Sequence, residues 1–189
     1  MGYHGVYFKS TMYEGSVGIP MILKGPDIPE GARRDTIVTL ADVYPTVLES
    51  VGIEANEGER RLPGSSLLPY AKGRKEERTA FSEYYSQGIY TAMFMLRKGP
   101  YKYIHYVGER PQLFDLKKDP LEQEDLAGKP ENEKLLVRLY EELKEIADVE
   151  RLEEESKAAQ SRLLDAHGGR EEFLRSFKPA LFSPIPKLD

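Results

Sequence analysis

The 189 residues predict a chain of two characters: an apolar run and a helix come first, then an α+β unit in which a small antiparallel sheet is followed by a long helix. Three observations carry that expectation. Between residues 79 and 116, short aromatic runs alternate with turns containing glycine and proline, as in an antiparallel meander. Over residues 131–166, Leu135, Leu136, Leu139, Leu143 and Ile146 form one stripe on a Glu/Lys-rich background, as in an amphipathic helix. Ahead of both, Ile19-Pro20-Met21-Ile22-Leu23 is a compact apolar run between turn residues, which fits a buried strand better than a helix.

Taken in order, the apolar run leads into Gly25-Pro26-Asp27-Ile28-Pro29-Glu30-Gly31, a turn-rich surface connection. Thr39-Leu40-Ala41-Asp42 reads as a capping box with Asp in place of Glu. It opens a helix whose apolar positions are Leu40, Val43, Val47, Leu48 and Val51, with Gly52 as its stop. Pro45 lacks a donor and predicts a kink, or a restart with Pro45 in a first turn. Residues 53–78 are polar and read as a long connection with one helical turn near Ser66-Leu67-Leu68. In the meander, Phe81/Tyr84, Ala92/Phe94/Leu96, Tyr101/Tyr103/His105 and Leu113/Phe114/Leu116 mark the strands. The long helix is expected to break near Asp148 and to end at Gly168-Gly169. A short helix near Glu171–Arg175 and an extended proline-containing tail follow.

Lysine and arginine number 27 and Asp and Glu 32, giving a net charge of −5, so wholesale nucleic-acid or acidic-membrane binding loses its electrostatic drive. The absence of cysteine removes disulfides, thiolate metal sites and a cysteine nucleophile together. No apolar run reaches the ~20 residues of a membrane span, and the start has no signal-peptide pattern. The expectation is a soluble, cytoplasmic protein with no membrane and no nucleic-acid partner.

Lys9 stands between His4-Gly5 and the hydroxyl residues Ser10-Thr11, just before the apolar run. A lysine there offers a compact positive charge to an anionic ester, and a histidine five residues earlier titrates near neutrality. On residue chemistry alone, an exposed lysine and a surface histidine explain the same pattern. Arg97, Lys98 and Lys102 read as a solvated strand edge. His105 reads as a packed strand residue, and His167 as a helix C-terminal cation. The aromatic cluster Tyr90–Tyr106 reads as a sheet face, with a cation–π box for a quaternary ammonium as the other possibility.

The segment from His4-Gly5 through Lys9, Tyr13-Glu14 and Val17 to Ile19-Pro20 resembles the H-G-x-x-x-K-x-x-x-[YF]-[ED]-x-x-x-x-[VI]-P segment of the sulfatases, members of the alkaline-phosphatase superfamily. Three further stretches agree in order. Thr39–Leu48 resembles that family's D-hydrophobic-aromatic-P-T helix, and Gly64-Ser65-Ser66-Leu67 its G-x-S-L turn. Gln112–Glu122 resembles its LYDLxxDPxE hairpin. Arg162–Glu172 with Pro184-Ile185-Pro186 is similar to the C-terminal extension of choline-sulfatase-like members, where the tail helps join subunits.

The resemblance implies hydrolysis of a sulfate monoester by a formylglycine, made from Cys or Ser in C/S-x-P-x-R, with calcium and basic residues holding the sulfate. It gives Lys9 the sulfate-binding role, the catalytic contribution expected of this chain, and places His4 near the pocket mouth. Ser82-Glu83-Tyr84-Tyr85 is similar to an S-E-Y-H segment that approaches substrate, which makes Glu83 and Tyr85 substrate-binding candidates. The chain departs from the family in having no cysteine and no Ser-x-Pro-x-Arg, and the family's metal pair would precede Met1. Formylglycine and calcium ligands are therefore expected in a missing N-terminal half, and the chain alone is expected to be inactive. The implied domains are residues 1–78 as a truncated remnant of the sulfatase α/β core, 79–148 as the α+β C-terminal subdomain, and 149–189 as a helical extension and tail. The implied partners are a sulfate-ester small molecule, that missing half and further copies in a homo-oligomer. Two other readings stay open: a phosphonate or phosphodiester hydrolase of the same superfamily, and a non-catalytic assembly module.

Overall fold

The computed structural model describes residues 4–5, 10–85 and 89–176, which fall into two compact units, 1–149 and 150–189. The first unit opens with a one-turn helix, α1 (Glu14–Val17). The run Ile19–Leu23 then forms neither a helix nor a paired strand, and Ile22 is 90% exposed. This departs from the buried strand expected. A strand exists only where a partner takes its N–H and C=O groups, and among the described residues no strand lies beside this one.

The capping box forms as read: the Thr39 N–H donates to Asp42 Oδ2 at 2.8 Å. A 3₁₀ turn, Leu40–Asp42, leads into α2 (Val43–Ser50). Pro45 sits in the first turn, where a missing N–H is harmless. Gly52 follows the helix at φ +69°, a conformation that costs glycine little. A short α3 (Leu68–Ala71) precedes the sheet.

Four strands, β1 (Thr79–Tyr84), β2 (Met93–Lys98), β3 (Tyr101–Tyr106) and β4 (Gln112–Asp115), pair antiparallel in sequence order. Directly paired residues share a face. Glu83, Phe94 and His105 are in register, as are Leu96, Tyr103 and Leu113. This face receives α4 (Glu133–Ile146). Leu139 and Leu143 of that helix are buried, and Tyr140 stacks on His105 at 5.2 Å between centroids. The opposite face carries Met93, Met95, Ile104 and Phe114, and Met12 from the N-terminal segment completes its cluster. Each fully buried Leu, Ile or Phe contributes about 1.5–3 kcal/mol, so the sheet is stabilised from both sides.

The basic residues of the hairpin are not a solvated edge. Lys102 is wholly buried, because β3 lies inside the sheet and the even positions of this strand face Met12 rather than water. Lys98 Nζ lies 2.7 Å from Glu142 Oε2 on α4, and Arg97 is half-buried.

The second unit holds the rest of α5 (Val149–Ala166) and α6 (Gly169–Ser176), so the break expected near Asp148 is present. Gly168, at φ +87°, lies between the two helices, and Gly169, at +83°, opens α6. His167 donates from Nδ1 to the Leu163 carbonyl at 2.8 Å, satisfying a C-terminal acceptor. The proline-containing tail lies outside the described residues. Among those residues no helix is long and apolar enough to cross a membrane.

Candidate functional site

The LFDLKKDPLE stretch builds one wall of the site. Asp115 Oδ1 accepts the Lys117 and Lys118 N–H groups, and Asp119 Oδ2 accepts that of Glu124. The chain thus curls after β4 and delivers Glu122, at φ +55°, beneath the sheet. There Glu122 Oε2 accepts the backbone N–H of Glu14 at 2.7 Å, and its Oε1 lies 2.7 Å from Lys102 Nζ. Lys102 also donates to the Met12 carbonyl at 3.2 Å and lies 2.5 Å from Glu14 Oε1. One carbonyl oxygen and two carboxylates thus surround the ammonium, the charge compensation that a buried cation requires. The outcome is mechanical: residues 10–17 are fastened across the sheet face, with Met12 buried among its apolar side chains.

Lys9 lies outside the described residues. Its neighbour Ser10 is hydrogen-bonded to the Tyr84 hydroxyl at 3.1 Å, so the chain leaving Lys9 meets the end of β1. His4 is exposed; its Nε2–H donates to the Leu121 carbonyl at 3.1 Å, and its ring stacks on Tyr13 at 4.0 Å. The same DPLE turn thus holds His4 through Leu121 and Glu14 through Glu122. Glu83 and Tyr85 are placed elsewhere. Glu83 is in register with Phe94 on the α4 face, and the Tyr85 ring meets Phe94 edge-on at 5.6 Å. The Tyr85 hydroxyl donates to Glu83 Oε2 at 2.9 Å, and burial, then that carboxylate, push the phenol above its ordinary value. The structure therefore brings His4, Tyr13, Ser10 and Tyr84 to one sheet face and sets Glu83 and Tyr85 on the other.

A second buried cluster explains two of the sequence motifs. Asp42 is fully buried and accepts N–H groups from Thr39 and Ser65, together with a two-pronged bond from Arg78 at 2.7 and 3.0 Å. Thr46 Oγ1 accepts the Leu67 N–H at 2.8 Å. The Asp and Thr of the helix motif thus hold the backbone of the G-x-S-L turn. Gly64 approaches so closely, at φ +105°, that a Cβ would stand 2.4 Å from the Ala41 carbonyl oxygen. Burial raises the Asp42 carboxyl, but the Arg78 bond and the two backbone N–H groups outweigh it and hold the group below its ordinary value. This cluster positions backbone; nothing in it is left to meet a substrate.

Among the described residues no three His, Asp or Glu side chains converge into a group that could hold a metal ion. Sequence reasoning missed Tyr13, Tyr84, Lys102 and Glu122. The usable signal was strand alternation, since Tyr101, Tyr103 and His105 on one face force Lys102, Ile104 and Tyr106 onto the other.

Residues 2–149 match the family described as N-sulphoglucosamine sulphohydrolase, C-terminal. The chain belongs to this family. Choline-sulfatase from Rhizobium meliloti (strain 1021) is 34% identical over 130 residues, 69% of this chain and 25% of that protein. Arylsulfatase K from Xenopus laevis is 33% identical over 138 residues, 66% of this chain and 25% of that protein. The solved structure of a 2-O GAG sulfatase superposes with a TM-score of 0.56 at 29% identity, covering 82% of this chain and 30% of the other. The fold is shared with a phosphonate monoester hydrolase from Silicibacter pomeroyi, at a TM-score of 0.58 and 23% identity, covering 71% of this chain and 30% of that one. The sheet with its long helix is accordingly a sulfatase C-terminal subdomain. The chain spans about a quarter of the length of the curated relatives it matches.

Proposed function

We propose that this chain supplies the C-terminal part of a sulfuric-ester hydrolase, with Lys9 binding the sulfate group of a small-molecule ester. The observation that carries the reading is the His4–Pro20 motif within the matched family region. Its support is the fastening of residues 10–17 by Lys102 and Glu122, which gives the peptide beginning just after Lys9 a rigid seat. An ammonium on the sulfate oxygens stabilises the charge that shifts during transfer, and His4 borders the same segment.

The nucleophile and metal belong to residues other than these. The sequence holds no Cys-x-Pro-x-Arg or Ser-x-Pro-x-Arg, so this chain's share is substrate binding. An N-terminal half would supply the rest. The water-facing apolar side chains of residues 19–62 support that, among them Leu40, Val51 and Ile53, because exposed apolar surface of this kind marks a face that meets another segment.

The test is a chimera in which residues 2–189 replace the matching quarter of the Rhizobium meliloti choline-sulfatase. Hydrolysis of a sulfate ester that disappears with Lys9→Ala is the expected result. A folded chimera whose turnover is indifferent to Lys9→Ala, or which cleaves a phosphonate monoester and no sulfate ester, overturns the reading.

A further inference from the structure

We propose that residues 10–17 form a releasable strap, with Lys102 and Glu122 a resident ion pair on the sheet and Glu14 its removable third member. Each strand of the sheet is secured by a backbone ladder, whereas residues 10–17 belong to no strand. Side chains hold them instead: Lys102 on the Met12 carbonyl, Glu122 on the Glu14 N–H, Tyr84 on Ser10 and Gln112 on Tyr13. Met12 is the one buried residue of the eight. The turn α1 closes its remaining bonds on itself, from the Ser16, Val17 and Gly18 N–H groups back to Tyr13 and Glu14. A segment with so few buried contacts and no ladder opens at a lower free energy than the sheet beneath it.

The geometry decides which charge leaves. The Lys102 and Glu122 side chains are both fully buried, 2.7 Å apart. Glu122 belongs to the turn after β4, so departure of the strap leaves the pair in place and neither ion uncompensated. Glu14 is 40% exposed, and the water already around its carboxylate lowers the cost of withdrawing it. The two carboxylates on one ammonium thus divide into a permanent partner and one that comes and goes. Release takes Tyr13 from Gln112, uncovers Met93, Met95 and Phe114, and removes the ring on which His4 stacks. On the sulfatase reading above, on which this consequence alone rests, the strap makes the His4–Pro20 motif a movable element.

The test is amide hydrogen exchange on the full chain, read at Glu14, Ser16, Val17 and Gly18 for the strap and at β2 and β3 for the sheet. Glu14→Gln keeps every backbone bond and should speed strap exchange about tenfold, the scale of one charged hydrogen bond, with the sheet unchanged. Raising salt from about 0.05 to about 1 M should speed strap exchange severalfold in the unsubstituted chain and leave Glu14→Gln unaffected, because a partly exposed pair is screened. Glu122→Gln removes the resident partner and should loosen strap and sheet together. Equal acceleration of strap and sheet in Glu14→Gln, no salt response, or a Glu122→Gln chain with unchanged sheet amides overturns the proposal. Sulfate-ester turnover by the chimera is a separate readout: its absence sinks the sulfatase reading and leaves the strap standing.

Discussion

In residues 79–149, Phe94, Leu96, Ile104, Leu113 and Leu143 are wholly withdrawn from water, whereas in residues 19–62 Ile22, Leu40 and Val51 are each more than half exposed and α2 buries none of its residues. The later region is held by apolar burial on both faces of a sheet. The earlier one is held by Asp42, Thr46 and Arg78 gripping backbone groups. Apolar burial involves no titratable group and so does not respond to pH, while a buried carboxylate latch depends on staying ionised. The two regions therefore answer differently to mutation and to acid.

The largest expected effect comes where residues 10–17 are fastened to the sheet. Lys102→Met leaves Glu122 as an uncompensated buried charge and should destabilise the chain by about 3–5 kcal/mol; adding Glu122→Leu should restore much of that loss. Denaturant melts of both variants check this, and a double variant no better than the single would show that the ion pair is not the source. Leu143→Ala, deep in the sheet–helix core, should cost about 2–5 kcal/mol, read from the same melts.

Acid should separate the regions next. The Asp42 carboxyl titrates below its ordinary value of 3.8 in the folded state. Its contribution is complete above that value and fades as pH falls through the folded one. The Ser65 and Leu67 amide signals should therefore shift toward unfolded positions below about pH 4, ahead of those of β2 and β3. Simultaneous loss of all four would erase the contrast. The smallest effect is expected at Val47→Thr, on the exposed side of α2, which should stay within about 0.5 kcal/mol; a cost comparable to Leu143→Ala would show that α2 is covered after all.

The elements were legible where periodicity was strong. The meander, the long helix with its break and the Thr39–Asp42 box all stand where the residues place them. Ile19–Leu23 was not, because a strand is a property of two segments and its partner is not beside it. Lys102 was misread for a related reason: residue type says solvent, and only pairing shows that its position faces Met12 and Glu14. At the site, the motif carrying His4 and Lys9 was visible in sequence, whereas Tyr84 and Glu122 act through contacts with residues about 74 and 108 positions away, which no local pattern encodes.

Every strand of the sheet pairs with its neighbour in the chain, so each loop to be closed is short and its entropy small. Arrival of Met12 and Glu14 spans 90 and 108 residues. Low contact order favours rapid closure of the hairpins, with long-range docking afterwards. The order of events follows: the carboxy-proximal ribbon assembles early as a platform, and the peptide that follows Lys9 is laid onto it last.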